Sequence, residues 1–155
     1  MIPTRQFTAG MLSLLLVTAL ASSAQGQTEV LAKLADVTPE QLATAQTDYM
    51  SEHLTLSEAQ LEALASLNLD SARKGARILR RKTPRHMTQG NLIAGMDSAR
   101  KVADMQKLGR RHESRLSRIL DEQQFEAYEE MKPAMREAVV RSLLASIEQE
   151  QESTP

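Results

Sequence analysis

A short helix-start signature occurs at three places in the chain and limits the possible folds more than any other feature. In each copy an apolar residue precedes a capping residue, and a glutamine follows the cap by three positions. The three pairs of cap and glutamine are Thr38–Gln41, Ser57–Gln60 and Asp121–Gln124. The cap's side-chain oxygen can accept the backbone N–H of the glutamine, and the glutamine side chain can accept the cap's own backbone N–H, which together form a capping box. The signature therefore predicts that three helices begin at these caps.

The limits of the first two helices follow from neighbouring residues. A short helix is predicted over about 39–51. The second helix begins at Ser57, although Thr55 provides a competing cap, and it ends around 81–83 because Pro84 disfavours helical geometry in the residue before it. The apolar stripe predicted for this helix consists of Leu61, Leu64, Ala65, Ala72, Ala76 and Leu79.

Two further helices complete an all-α fold. The third is predicted to begin between Thr88 and Asn91, and the fourth runs from Asp121 to Ile147 with a bend at Pro133, which removes one backbone hydrogen bond. The chain has no Cys or Trp and only two Phe and two Tyr, whereas strong helix formers dominate it. Because four helices with narrow apolar stripes make a thin core, we expect two copies to pair as a homodimer.

The N-terminal residues have the pattern of a secretory signal peptide. Arg5 precedes an apolar run over 11–20, and small residues follow that run. The run is about half of the roughly 20 apolar residues that span a bilayer, so we expect cleavage after Ala24 or Gly26 and a periplasmic location without a stable membrane anchor. The expected organisation is a signal peptide at 1–24, a flexible arm at 25–36, a helical domain at 37–147 and a disordered tail at 148–155.

The charged residues are segregated along the chain. Residues 73–118 contain fourteen basic residues against three acidic ones, a net charge of +11, while both flanking segments are acidic. One interpretation is that the acidic flanks neutralise the basic segment within the fold. The other is a cationic surface that attracts anionic partners by its long-range field. Nucleic acid is a poor candidate for an exported protein, and this segment has no aromatic residue for base stacking.

Methionines lie among the basic residues. Met87, Met96 and Met105 belong to the basic segment, and Met131 and Met135 belong to the last helix. Because methionine is flexible and polarizable, a surface of Met and Arg could hold many apolar shapes without a fixed pocket. The alternative is that these methionines fill the core.

No pattern of catalytic or metal-binding residues is recognisable in the sequence. His53, His86 and His112 are far apart, and none belongs to a His-x3-His or His-Glu-x-x-His pattern. Glycine-rich phosphate loops and activated nucleophiles are also missing. We therefore expect a protein that is not an enzyme and that uses no metal or other cofactor.

The region around the second and third caps resembles the periplasmic Spy/CpxP family, whose signature is a pair of Leu-Thr-x-x-Gln motifs. Leu54-Thr55-Leu56-Ser57-Glu58-Ala59-Gln60 is similar to the first motif with Ser in place of Thr. The stretch from Ile119 to Met131 is similar to the second motif, with Asp121 in place of Thr. The resemblance covers about residues 54–140.

This resemblance implies a bent four-helix protomer, a cradle-shaped dimer and a cationic, partly apolar concave face. Family members are ATP-independent chaperones of unfolded envelope proteins, or adaptors that restrain an envelope-stress sensor kinase; some relatives bind metal. The corresponding expectation here is a chaperone, with the adaptor and the metal sensor as alternatives. The residues expected to contact a client are Arg77, Arg80, Arg81, Arg85, Met87, Met96, Arg100 and Arg110.

Overall fold

The computed structural model describes residues 37–81 and 91–152, and all regular structure within these residues is helical. The four helices are α1 (Pro39–His53), α2 (Glu58–Arg80), α3 (Asn91–Ile119) and α4 (Glu122–Glu152). The all-α class and the four helices agree with the prediction. None of these helices is long and apolar enough to cross a bilayer.

The fourth helix is longer than predicted. It continues to Glu152, past the predicted end at Ile147, so the tail assigned to 148–155 is helical over its first part. Glutamate and glutamine are good helix formers, and this explains why the helix continues without apolar residues to bury. Pro133 lies within the same continuous helix.

The helices pack around one shared core. Helix α2 lies against both α1 and α3, and α1 also packs against α4, whereas α3 and α4 have only a small direct contact. The core consists of Met50, Leu54, Leu64, Leu67, Leu116, Leu120, Tyr128, Met135, Val139 and Leu143. All four helices supply residues to this cluster, and so do the α1–α2 connection, through Leu54, and the α3–α4 connection, through Leu120. The caps that position these connections therefore also position the core.

The buried face of α2 differs from the predicted stripe. Leu64 and Ala72 are buried as expected, but Leu61 and Leu79 are 37% and 60% exposed and Ala65 is exposed. The buried positions are Leu64, Leu67, Asn68, Ser71, Ala72 and Gly75. A purely apolar pattern missed this face because it contains small and polar residues, which face the neighbouring helices.

The end of the α2–α3 pair nearest to residues 82–90 has little buried surface. Gly75 is the last buried residue of α2, and Met105 is the first buried residue of α3 within its described side chains from 99 onward. Leu79 and Val102 are exposed in this part of the pair, by 60% and 45%. Most of the described side chains of α2 and α3 beyond Gly75 and before Met105 are therefore partly or largely exposed.

Candidate binding surface and motif junction

All three capping boxes are present. Thr38, Ser57 and Asp121 each accept the backbone N–H of the glutamine three positions later, at 3.1, 3.3 and 2.8 Å. Each glutamine Oε1 in turn accepts the backbone N–H of its cap at 2.9 Å. The cap of α2 is Ser57 and not the competing Thr55.

The second and third boxes are joined to each other across the fold. The side-chain amide of Gln60 donates to the carbonyl of Ile119 at 2.9 Å and to Oε1 of Gln124 at 2.7 Å. The amide of Gln124 donates to the carbonyl of Thr55 at 2.6 Å and to Oε1 of Gln60 at 3.3 Å. Thr55 and Ile119 each lie two residues before a cap, so the two connections contact each other through equivalent positions. We refer to Thr55, Ser57, Gln60, Ile119, Asp121 and Gln124 as the motif junction.

A buried chain of polar side chains connects α1, α2 and α3. Thr47 donates to the carbonyl of Ala43 at 2.8 Å and accepts from the amide of Asn68 at 3.0 Å. Nε2 of His112 lies 3.0 Å from Oδ1 of Asn68, which accepts a hydrogen bond from the imidazole N–H because the Asn68 amide nitrogen donates to Thr47. Burial, followed by the positive charge of Arg115, lowers the pKa of His112 from 6.5 to about 4. His112 is therefore neutral near pH 7 and serves as a hydrogen-bond donor inside the fold.

The burial of His112 was not predicted from the sequence. Its burial follows from the helical period of α3, because Met105, Leu108 and Leu116 lie on the same buried face. Within the described residues, no three His, Asp or Glu side chains are grouped in a way that could hold a metal ion.

The described part of the predicted client-contact set lies mainly on the α2–α3 pair away from the core. Arg77 and Arg80 are exposed near the end of α2, and Arg100 is exposed on α3. Arg81 pairs with Asp104 of α3 at 3.0 Å. This ion pair joins the two helices where they have little other buried contact.

Three members of the predicted set are not described. Arg85 and Met87 lie outside the described residues, and Met96 belongs to α3 but its side chain is not described. The other methionines of the proposed adaptable surface belong to the core: Met105 and Met135 are 2% and 4% exposed, and Met131 is half-buried. For these three residues the core-filling alternative is the correct one.

A second basic region was not singled out from the sequence. It is a groove of about 350 Å³ between α2 and α3, which we call the basic groove. Its basic residues are Lys74, Lys107, Arg110, Arg111, Arg115 and Arg118. Only Arg110 was in the predicted client-contact set. The sequence feature that could have indicated this groove is the spacing of Lys107, Arg111 and Arg115, which recur every four residues and therefore share one side of α3.

One acidic residue lies within the basic groove. Asp70 of α2 contacts Lys74 at 2.7 Å and Arg115 of α3 at 2.9 Å. The hydrogen bond from Lys74, together with that from Arg115, lowers the pKa of Asp70. The base of the groove includes Leu67 and Leu108, which are 1% and 9% exposed. The groove thus combines an apolar floor with cationic walls.

Within residues 37–81 and 91–152, the chain is all-helical, with two capped connections and a basic face on the α2–α3 pair. The sequence profile of the DUF4890 family, described as a domain of unknown function, matches residues 24–128, and the chain belongs to this family. No curated protein and no solved structure matches the chain.

Proposed function

We propose that the chain is a periplasmic, ATP-independent chaperone that holds unfolded or misfolded envelope proteins on the basic face of α2 and α3. The observation that carries this proposal is the exposure of many basic side chains on two adjacent helices. Long-range attraction by the basic residues would bring a client to the surface, and the apolar stems of the arginine side chains would help to hold it. The resemblance to the Spy/CpxP family supports the same function.

The expected surface is a chemically mixed one that does not depend on one deep pocket. Arg77, Arg80 and Arg100 have no carboxylate partner within 4.0 Å among the described residues, so their charges are available to a client. The long stems of arginine side chains add apolar contact area of their own. Such a surface accepts partners of varied sequence, as a chaperone of unfolded chains requires.

The first experiment measures light scattering from an aggregating unfolded protein, with and without the purified chain beginning at Gln25, at low and moderate salt. We expect suppression near a stoichiometric ratio without nucleotide. We also expect the suppression to weaken with salt, because charge attraction is screened over roughly 8–10 Å at physiological ionic strength. A folded sample that fails to suppress aggregation at any ratio would contradict the chaperone function and favour an adaptor for one folded partner.

Charge variants locate the client surface. The triple variant Arg77→Gln, Arg80→Gln and Arg81→Gln is expected to lose most of the suppression. The matched control is Gln123→Glu, Ala127→Glu and Ala134→Glu, which changes the net charge equally at exposed positions of α4. Equal losses in both variants would show that only net charge matters and would reject a defined client surface.

A further inference from the structure

We propose that the basic groove binds extended acidic segments of polypeptide, with carboxylates at alternate positions of the segment lying along α3. This inference rests on the proposed chaperone function and adds to it the chemistry of the client segment that is held. The groove is separate from the residues Arg77, Arg80 and Arg81 on which that function is tested, so the two proposals can fail independently.

The spacing of the basic residues matches an extended chain. Lys107, Arg111 and Arg115 follow one another at four-residue intervals on α3, and all three line the groove. Four residues of α-helix rise about 6 Å along the axis. In an extended strand, side chains on one face are separated by about 6.6 Å, because the strand rises about 3.3 Å per residue. Carboxylates at alternate positions of an extended segment can therefore meet successive basic residues of α3.

The structure already contains a carboxylate bound between the two walls of the groove. Asp70 accepts a hydrogen bond from Lys74 of its own helix at 2.7 Å and another from Arg115 of the opposite helix at 2.9 Å. These contacts show that basic side chains of both walls can converge on a carboxylate. We refer to Lys107, Arg111 and Arg115 as the ladder. Asp70 occupies only its Arg115 end, since no ion pair joins Asp70 to Lys107 or Arg111.

The remaining basic residues of the groove have charge available for a partner. Among the described residues, Lys107, Arg110, Arg111 and Arg118 have no carboxylate within 4.0 Å. These basic side chains are exposed, so their attraction to a carboxylate should weaken as salt is added.

The arrangement favours a polypeptide over a compact phosphate group. The basic residues of α3 in the groove span residues 107–118, a length of about 16 Å along the helix axis. A single phosphate would be recognised by basic groups that converge on one point, whereas this ladder is linear. A linear series of carboxylates on an extended segment can contact Lys107 and Arg111 in turn.

The test measures fluorescence anisotropy of a labelled peptide with alternating Glu and Gln, titrated with the chain beginning at Gln25. A peptide of the same composition with its glutamates in one block is the comparison. We expect the alternating peptide to bind more tightly, and the double variant Lys107→Gln and Arg111→Gln to weaken its binding by about tenfold, since two charge contacts are lost. Gln123→Glu with Ala127→Glu on α4, which changes the net charge equally, is expected to leave binding within about twofold.

Several outcomes would overturn the proposal. Equal binding of the alternating and block peptides would reject the ladder, and equal weakening by the two double variants would reject the groove as the site. Binding of phosphatidylglycerol vesicles that depends on Lys107 and Arg111, without peptide binding, would assign the groove to lipid headgroups instead. A wild-type chain that suppresses aggregation but binds neither peptide would reject this inference while leaving the chaperone function intact. Circular dichroism of every variant verifies that it is folded.

Discussion

At the scale of single residues, Gln60 and Gln124 each have two structural roles. Their carbonyl oxygens close the capping boxes of α2 and α4, and their amide groups hold the two connections together. The first role is local in sequence and was therefore predictable from a three-residue spacing. The second depends on how the helices pack and has no local signal, because residues 64 positions apart meet only in the folded chain.

Loss of the Gln124 side chain is expected to destabilise the fold more than an ordinary capping change. Gln124→Ala removes the cap contact to Asp121 and the hydrogen bonds to Thr55 and Gln60, and we expect a loss of about 2–3 kcal/mol in the free energy of unfolding. Urea unfolding measures this. Gln123→Ala, at the exposed neighbouring position, should change stability by less than about 0.5 kcal/mol. Similar values for the two variants would contradict a structural role for the motif junction.

The buried His112 predicts a loss of stability at acid pH. Its pKa is about 4 in the fold and 6.5 without burial, so between these values the unfolded chain binds more protons than the folded one. Stability should therefore be complete above about pH 6.5 and fall by roughly 3 kcal/mol as the pH decreases through this window to about 4. His112→Gln keeps a donor for Asn68 but cannot titrate. Its stability measured from pH 7 to 4 should fall less than that of the wild type, and parallel curves would contradict the assignment.

At the scale of whole elements, the helix limits were easier to predict than the helix faces. The caps and Pro84 placed the starts and ends of α1 and α2 within a few residues, because these signals act on the local backbone. The buried face of α2 was misjudged because Asn68 is satisfied by Thr47 and His112, partners on other helices. The basic groove was missed for the same reason, since it exists only where α2 lies beside α3.

The corrected face of α2 can be tested with two leucines of the same helix. Leu64 is completely buried and Leu61 is 37% exposed, although both belong to the predicted apolar stripe. We expect Leu64→Ala to cost about 3 kcal/mol of unfolding free energy, through lost burial and the cavity left behind, and Leu61→Ala to cost less than about 1 kcal/mol. Thermal or urea unfolding distinguishes them. A larger cost at Leu61 would restore the stripe predicted from sequence.

At the scale of the whole molecule, the packed and the exposed parts are separate. The core and the motif junction lie where all four helices meet, whereas the part of α2 and α3 nearest to residues 82–90 has few buried side chains. The charge segregation of the sequence follows this division, because the basic segment supplies the exposed helix pair. Stability and the proposed client contact should therefore respond to different substitutions.

The exposed end of the α2–α3 pair also leads us to expect a homodimer. Leu79 and Val102 are 60% and 45% exposed, and one thin four-helix core leaves them without cover in a single copy. Pairing of two copies would remove this apolar surface from water. Sedimentation of the chain beginning at Gln25 should show a dimer, and Leu79→Ser with Val102→Ser should shift it to monomer while the helical signal is kept. Leu61→Ser, on the other part of α2, is the control and should leave the dimer intact. A monomeric wild type would reject the homodimer, and a double variant that remains dimeric would reject Leu79 and Val102 as its contact.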